Sequence, residues 1–322
     1  MRIDVQCHIF PKVMEAYFLE NAYPKCVKRG SALICDFGSQ ILGLPDESYD
    51  PANILKSMDA GKVDIAIVSP NIPDPGFLPP DKAAELCGKL NEATKEIARQ
   101  SKGRFYGVGL LPWHAPEAAV REVRHIKELG LIGTMLFSRN GDLQVDDPKL
   151  EPVYDAVEKA GLPVLLHPTI PLWAEPIGAY GMVAANSFVI DTAFAFMRLC
   201  YSGILDRHPS LKVVMPHAGG VLPFLDGRLP PRREQVPEGE GRNVKEVLFG
   251  EQTWFDLANH SEHVLGYFKN YLGLARAMYA TDYPFAPHAM ASALQERMGF
   301  AAEELEQINW KNANRLFHLG VE

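Results

Sequence analysis

Eight short apolar runs, separated by longer segments of helical periodicity, constrain this chain more than any other feature. They read RIDVQCH (2–8), DIAIV (64–68), FYGVGL (105–110), IGTMLF (132–137), PVLLH (163–167), KVVMP (212–216), QTWFD (252–256) and RAMYA (276–280). Each is too short for a buried helix and rich in Val, Ile, Leu and aromatics, as strands covered on both faces are. Between them, apolar residues recur at helical spacing, as at Ala84, Leu86, Leu90, Ala93, Ile97 and Ala98 within 81–101. The segment 116–129 opens on Pro116-Glu117 and stops before Gly130. In 148–160, Asp147 caps the start and Gly161 ends the helix. Residues 186–203 and 262–271 also read as helices. Eight strands alternating with helices predict an α/β fold, a (β/α)8 TIM barrel. No linker or internal repeat interrupts the pattern, so residues 1–322 are read as one domain.

Two stretches exceed a minimal barrel, and both follow the C-terminal end of a predicted strand. Within 9–50, CVKRGSALICDFG (26–38) predicts a small hairpin insertion after strand 1, turning near Arg29-Gly30-Ser31. Residues 168–185 form a long loop rich in Pro, Trp and Gly. On a barrel that face carries the active site, and long loops there cover it.

A formal net charge of -8 argues against nucleic acid or an anionic membrane as partner, because both reward a basic face. The five cysteines are odd in number, scattered and without a CxxC pair, so neither a disulfide framework nor a finger-type zinc site is expected. The N-terminal MRIDVQCHIFP lacks the apolar core of a signal peptide, and no run is expected to reach the ~20 apolar residues of a membrane span. A cytoplasmic, reducing setting is the expectation.

Four residues stand at the C-terminal ends of predicted strands: His8 at the first, His167 at the fifth, His217 at the sixth and Asp282 at the eighth. A barrel aims such positions into one mouth. Three imidazoles and a carboxylate converging there make a transition-metal site with coordination positions open for water or substrate. A single histidine at a strand end is more often a satisfied polar residue, and it is the coincidence of four that carries the reading. His114, His260, His263 and His288 are weaker candidates, while His125, His208 and His318 read as structural.

The segments IDVQCHIFP, LLHP, MPHAGGVLPFLDGR and YATDYPF resemble the aminocarboxymuconate-semialdehyde decarboxylase branch of the amidohydrolase superfamily, over residues 2 to about 318. The resemblance implies that the outer residues of the first motif, Gln6 and His8, bind a metal together with His167 and Asp282. It implies that Asp282 is also the acid or base, that His217 is catalytic, and that Arg228 reaches across a homodimer interface to a substrate carboxylate. One divalent ion is implied, zinc first and manganese second. The chain departs from the family at Gln6, where His or Glu is usual; a neutral amide is a poorer donor, and a Glu in its place should bind metal more tightly. Cys7 should point away from the mouth, because successive strand residues alternate faces. Where the aminocarboxymuconate-semialdehyde enzyme carries a substrate-binding arginine, this chain has Ile54. Arg139 is a candidate replacement or a solvated loop residue, and Trp173 and Phe10 are candidate aromatic walls.

The expected function is a metal-dependent non-oxidative decarboxylase of an aromatic or unsaturated carboxylic acid. The same residues could serve a hydrolase that activates a metal-bound water. A reading of another class is a catalytically lapsed barrel that keeps a small-molecule pocket, which only Gln6 favours.

Overall fold

The computed structural model describes residues 1–229 and 241–321. Eight parallel strands form the barrel: β1 (Ile3–Ile9), β2 (Ile65–Pro70), β3 (Phe105–Gly107), β4 (Thr134–Phe137), β5 (Val164–His167), β6 (Val213–Met215), β7 (Thr253–Asp256) and β8 (Ala277–Met278). They pair in sequence order as two arcs, β1 to β3 and β4 to β8. A bridge from Gly109 to Thr134 joins β3 to β4. The ring closes where Val5 N donates to Tyr279 O at 3.1 Å and His8 N to Tyr283 O at 2.8 Å. The third and eighth strands are shorter than their apolar runs, yet their flanks still supply these closing bonds.

A helix follows each strand: α1 (Pro51–Ala60), α2 (Pro80–Gln100), α3 (Pro116–Leu129), α4 (Glu151–Ala160), α5 (Phe188–Tyr201), α6 (Val244–Leu248), α7 (Glu262–Leu272) and α8 (His288–Arg297). Local chemistry sets their ends. The Asp147 carboxylate accepts Lys149 N at 2.9 Å ahead of α4, and Gly130 and Gly161 end α3 and α4 in the left-handed conformation. Alternate strand residues pack into two sets. Ala66, Val68, Leu136, Val164, Leu166 and Val213 lie against Val123, Ile126, Val157 and Leu199 of the helices. Ile65, Ile67, Met135, Leu165, Val214 and Trp254 belong to the other set, inside the barrel.

Three features differ from the sequence reading. The hairpin forms as Lys25–Arg29 and Ala32–Asp36, and a third antiparallel strand, Ile41–Leu44, joins it. Its register sets Cys26 opposite Cys35, and the two are disulfide-bonded, which corrects the expectation that no cysteines pair. Their spacing looks arbitrary along the chain and becomes adjacency only through the turn at Gly30. Cys7, Cys87 and Cys200 are free and buried. Finally, Val183–Tyr201 is long and apolar enough to cross a membrane by length and hydropathy. Here it packs on the barrel through Ala193, Phe196, Leu199 and Cys200.

Candidate active site

β1 does not alternate regularly. Its register with β2 runs Asp4 to Ala66 and then Cys7 to Val68, so Val5 and Gln6 together oppose Ile67. This bulge adds one residue to one strand and re-aims the side chains beyond it. Cys7 joins the helix-facing set with Ile54, away from the mouth as alternation predicted. His8 stands on the inner side. Its Nδ1 lies 3.2 Å from Ser69 Oγ, and its Nε2 3.1 Å from Asp282 Oδ1.

His167 closes β5. Its Nδ1 donates to Pro168 O at 2.8 Å, which leaves the Nε2 lone pair free for a metal. Burial first, and then the neighbouring His8, pushes its pKa down to about 3, so the ring is neutral at pH 7 as a ligand must be. The His8 and His167 rings meet edge to face at 5.0 Å. Ligand atoms of His8, His167 and Asp282 all lie within 4.8 Å of one another. Two imidazoles and one carboxylate, with one tautomer fixed by a backbone carbonyl, fit a divalent cation.

Asp282 and His217 occupy strained backbone, with φ of 60° and 56°. The Asp282 N–H donates to Gln6 O at 2.9 Å, which ties its loop to β1. His217 Nε2 lies 3.6 Å from Asp282 Oδ2. Burial alone would raise the Asp282 pKa, but its contacts with His217 and His8 outweigh that and hold it below the usual carboxylate range. For His217 burial opposes the proton, yet the Asp282 and Asp256 charges prevail and the pKa is raised. Both shifts favour a proton on His217 over one on Asp282. Of the two glycines after Ala218, Gly219 is required by its φ of 81° and Gly220 also by space, since a Cβ on Gly220 would sit 2.5 Å from Val189 O.

The amidohydrolase family profile matches residues 3–319. The chain belongs to the amidohydrolase family. Gamma-resorcylate decarboxylase of a Rhizobium species is 30% identical over 287 residues, covering 82% of this chain and 86% of its own. 2-Amino-3-carboxymuconate-6-semialdehyde decarboxylase of Dictyostelium discoideum is 27% identical over 296 residues, covering 88% and 82%. The solved structure of 2,6-dihydroxybenzoate decarboxylase from Rhizobium superposes with a TM-score of 0.79 at 25% identity, covering 99% of each chain. These relatives place the amidohydrolase in the aminocarboxymuconate-semialdehyde decarboxylase branch that its motifs resemble.

In this amidohydrolase His8, His167, His217 and Asp282 meet with Gln6 at their side, while the remaining candidates scatter. Gln6 is buried beside them with its amide against Asp256. Arg228 is exposed on the turn Leu222–Arg228. Trp173 lines a groove of about 460 Å³ with Ser138, Asp191 and Phe194, and Phe10 packs under the hairpin insertion against Tyr49. Ile54 is buried in the helix layer and presents nothing to an anion. Arg139 is held by the Gly141 and Ile170 carbonyls, over the Phe77 ring, at the wall of a cleft of about 1090 Å³. His114 lines the same cleft.

Three neighbours of these residues escaped the sequence reading. Phe285 is 61% exposed with its ring 6.4 Å from His8, and it ends the YATDYPF segment. Asp256 ends β7 and was open to the same strand-end rule that found His8. Asp4 accepts the N–H groups of Gln6 at 3.0 Å and Thr281 at 3.1 Å, along with the Thr281 hydroxyl. Asp4, Cys7 and His288 also gather within 4.8 Å. Asp4 already serves those three donors, so this group works as a clamp on the loop that carries Asp282.

Proposed function

We propose that this amidohydrolase is a metal-dependent, non-oxidative decarboxylase of an aromatic or unsaturated carboxylic acid. The observation that carries the reading is the meeting of His8, His167 and Asp282 within 4.8 Å, with His217 3.6 Å from the same carboxylate. The decarboxylase relatives support carbon–carbon cleavage over hydrolysis.

His8, His167 and Asp282 would hold one divalent ion, zinc or manganese, with the Gln6 amide oxygen as a neutral fourth donor. When bound, the ion would supply positive charge that holds a substrate carboxylate or hydroxyl and so keeps the ring in place. The remaining work falls to side chains. His217 passes its proton to Asp282, and Asp282 delivers it to the carbon bearing the carboxylate. The pair of electrons in the C–CO2⁻ bond then returns to the ring as CO2 leaves. A proton from water restores His217, and the balance is one carboxylate and one proton giving one arene and CO2. Phe285 offers a flat face to the ring. Arg228 of a second copy would bind an anionic group bidentately, which makes the active unit a homodimer. A cytoplasmic setting is part of the same proposal and stands against the Cys26–Cys35 bridge, since disulfides are rare in reducing compartments; in rapidly quenched cells both thiols should titrate as free, and a bridge found there would overturn the setting.

The deciding experiment offers zinc- or manganese-loaded protein a panel of hydroxybenzoic and pyrimidine carboxylic acids and follows CO2. At least one acid should release CO2 in step with its own loss, and chelation should stop it. A protein that binds neither ion, or that cleaves esters or amides while releasing no CO2, overturns the proposal.

A further inference from the structure

Asp256 is buried at the end of β7. Its Oδ1 accepts the backbone N–H groups of His217 at 2.8 Å and Ala258 at 3.1 Å. Gln6 brings one end of its amide to the same carboxylate, 3.1 Å from Oδ1 and 3.0 Å from Oδ2, a pairing that is favourable only with the nitrogen at that end. The opposite end of that amide lies 3.5 Å from His217 Nε2. An amide donates at one end and accepts at the other, and the two ends have nearly the same shape. A neighbour that accepts and cannot donate decides which end turns inward, and an ionised carboxylate is such a neighbour.

We propose that Asp256 is a positioning residue for Gln6: it holds the amide nitrogen away from the metal centre and so presents the carbonyl oxygen to His217 and the ion. The inference rests on the metal-centre reading above. Residue 6 is then a neutral donor, and a negative charge stands one layer behind it. The two positions are coupled, because a carboxylate at 6 would be pressed against the Asp256 carboxylate at hydrogen-bond distance. An amide at 6 calls for a carboxylate at 256, and the reverse pair is equally consistent. The sequence expectation that Gln6→Glu alone tightens metal binding therefore gives way to a paired requirement.

The test measures Mn²⁺ affinity by calorimetry and thermal melting of the metal-free protein. The variants are Asp256→Asn, Gln6→Leu, their combination, Gln6→Glu, and Gln6→Glu combined with Asp256→Asn. Asp256→Asn should weaken Mn²⁺ binding about 10- to 100-fold, since an asparagine can also donate and lets the Gln6 amide turn over. Adding Asp256→Asn to Gln6→Leu should weaken it no further. Gln6→Glu alone should lower the melting temperature of the metal-free protein, and adding Asp256→Asn should restore it. Wild-type Mn²⁺ affinity in folded Asp256→Asn would overturn the inference. So would additive losses in the Leu combination, which would show Asp256 acting only through the His217 backbone. If the wild type binds neither Mn²⁺ nor Zn²⁺, the metal reading fails by itself, and the melting temperatures still decide whether residues 6 and 256 are paired.

Discussion

Asp282 lies between two imidazoles, with His8 Nε2 3.1 Å from one oxygen and His217 Nε2 3.6 Å from the other. Replacing it with asparagine keeps the shape and removes both the charge and the transferable proton. Asp282→Asn should cut turnover by about 10²–10⁴-fold while the far-UV circular dichroism stays that of the wild type; a fully active variant would remove Asp282 from the proton path. Asp74 gives a pH effect that can be signed. Burial, partly offset by the Thr169 hydroxyl and Arg139, pushes its pKa up to about 6. Between about pH 4 and 6 the folded chain keeps a proton that the unfolded chain has released, so this residue's contribution to stability falls as pH rises. The whole effect is about 3 kcal/mol at most. Asp74→Asn should therefore gain melting temperature relative to wild type between pH 4.5 and 7, and parallel curves would show that Asp74 titrates normally. At this scale the strand-end rule made His8, His167, His217 and Asp282 legible. It would have reached Asp256 had a carboxylate with no obvious partner been weighed like a histidine.

The elements were legible where periodicity was strong, as in α3 and α4, whose Gly130 and Gly161 stops lie where the sequence put them. They were less legible where tertiary pairing decides. Alternation cannot show the β1 bulge, because a two-to-one register exists only against β2. The Cys26–Cys35 bridge likewise depends on hairpin register. The turn after β6 is the element most open to test. Gly220 has φ of 59°, and a Cβ there would meet Val189 O at 2.5 Å. Gly220→Ala should cost at least about 1–2 kcal/mol from backbone conformation, with the clash in addition. The damage should reach function, because the same turn aims His217. Lower thermal stability together with loss of turnover is the expected result; loss of stability with wild-type activity would separate the turn from the site.

For the molecule as a whole, the alternation of runs was enough to predict the closed barrel. What it could not supply is distance across the mouth, and so it gave no sign that Trp173 faces a side groove while Phe285 stands by His8. The proposed dimer can be tested on intact protein. Arg228→Ala and Asp282→Asn should each be inactive alone. If Arg228 serves the neighbouring copy, unfolding and refolding the two together should restore about a quarter of wild-type sites, since half the dimers are mixed and each has one complete site. No recovery, with mixed dimers present, would return Arg228 to a role within its own chain. The barrel seam bears on the order in which the protein is made. His8 and Asp282 touch although 274 residues separate them. At 5–20 residues per second, the ribosome needs roughly 15–55 s to bring out the second after the first. His8 is thus synthesised well before its partner. A chain cut short before Asp282 would carry the two imidazoles without the carboxylate, so on the proposed reading the metal site is assembled only once Asp282 has been added.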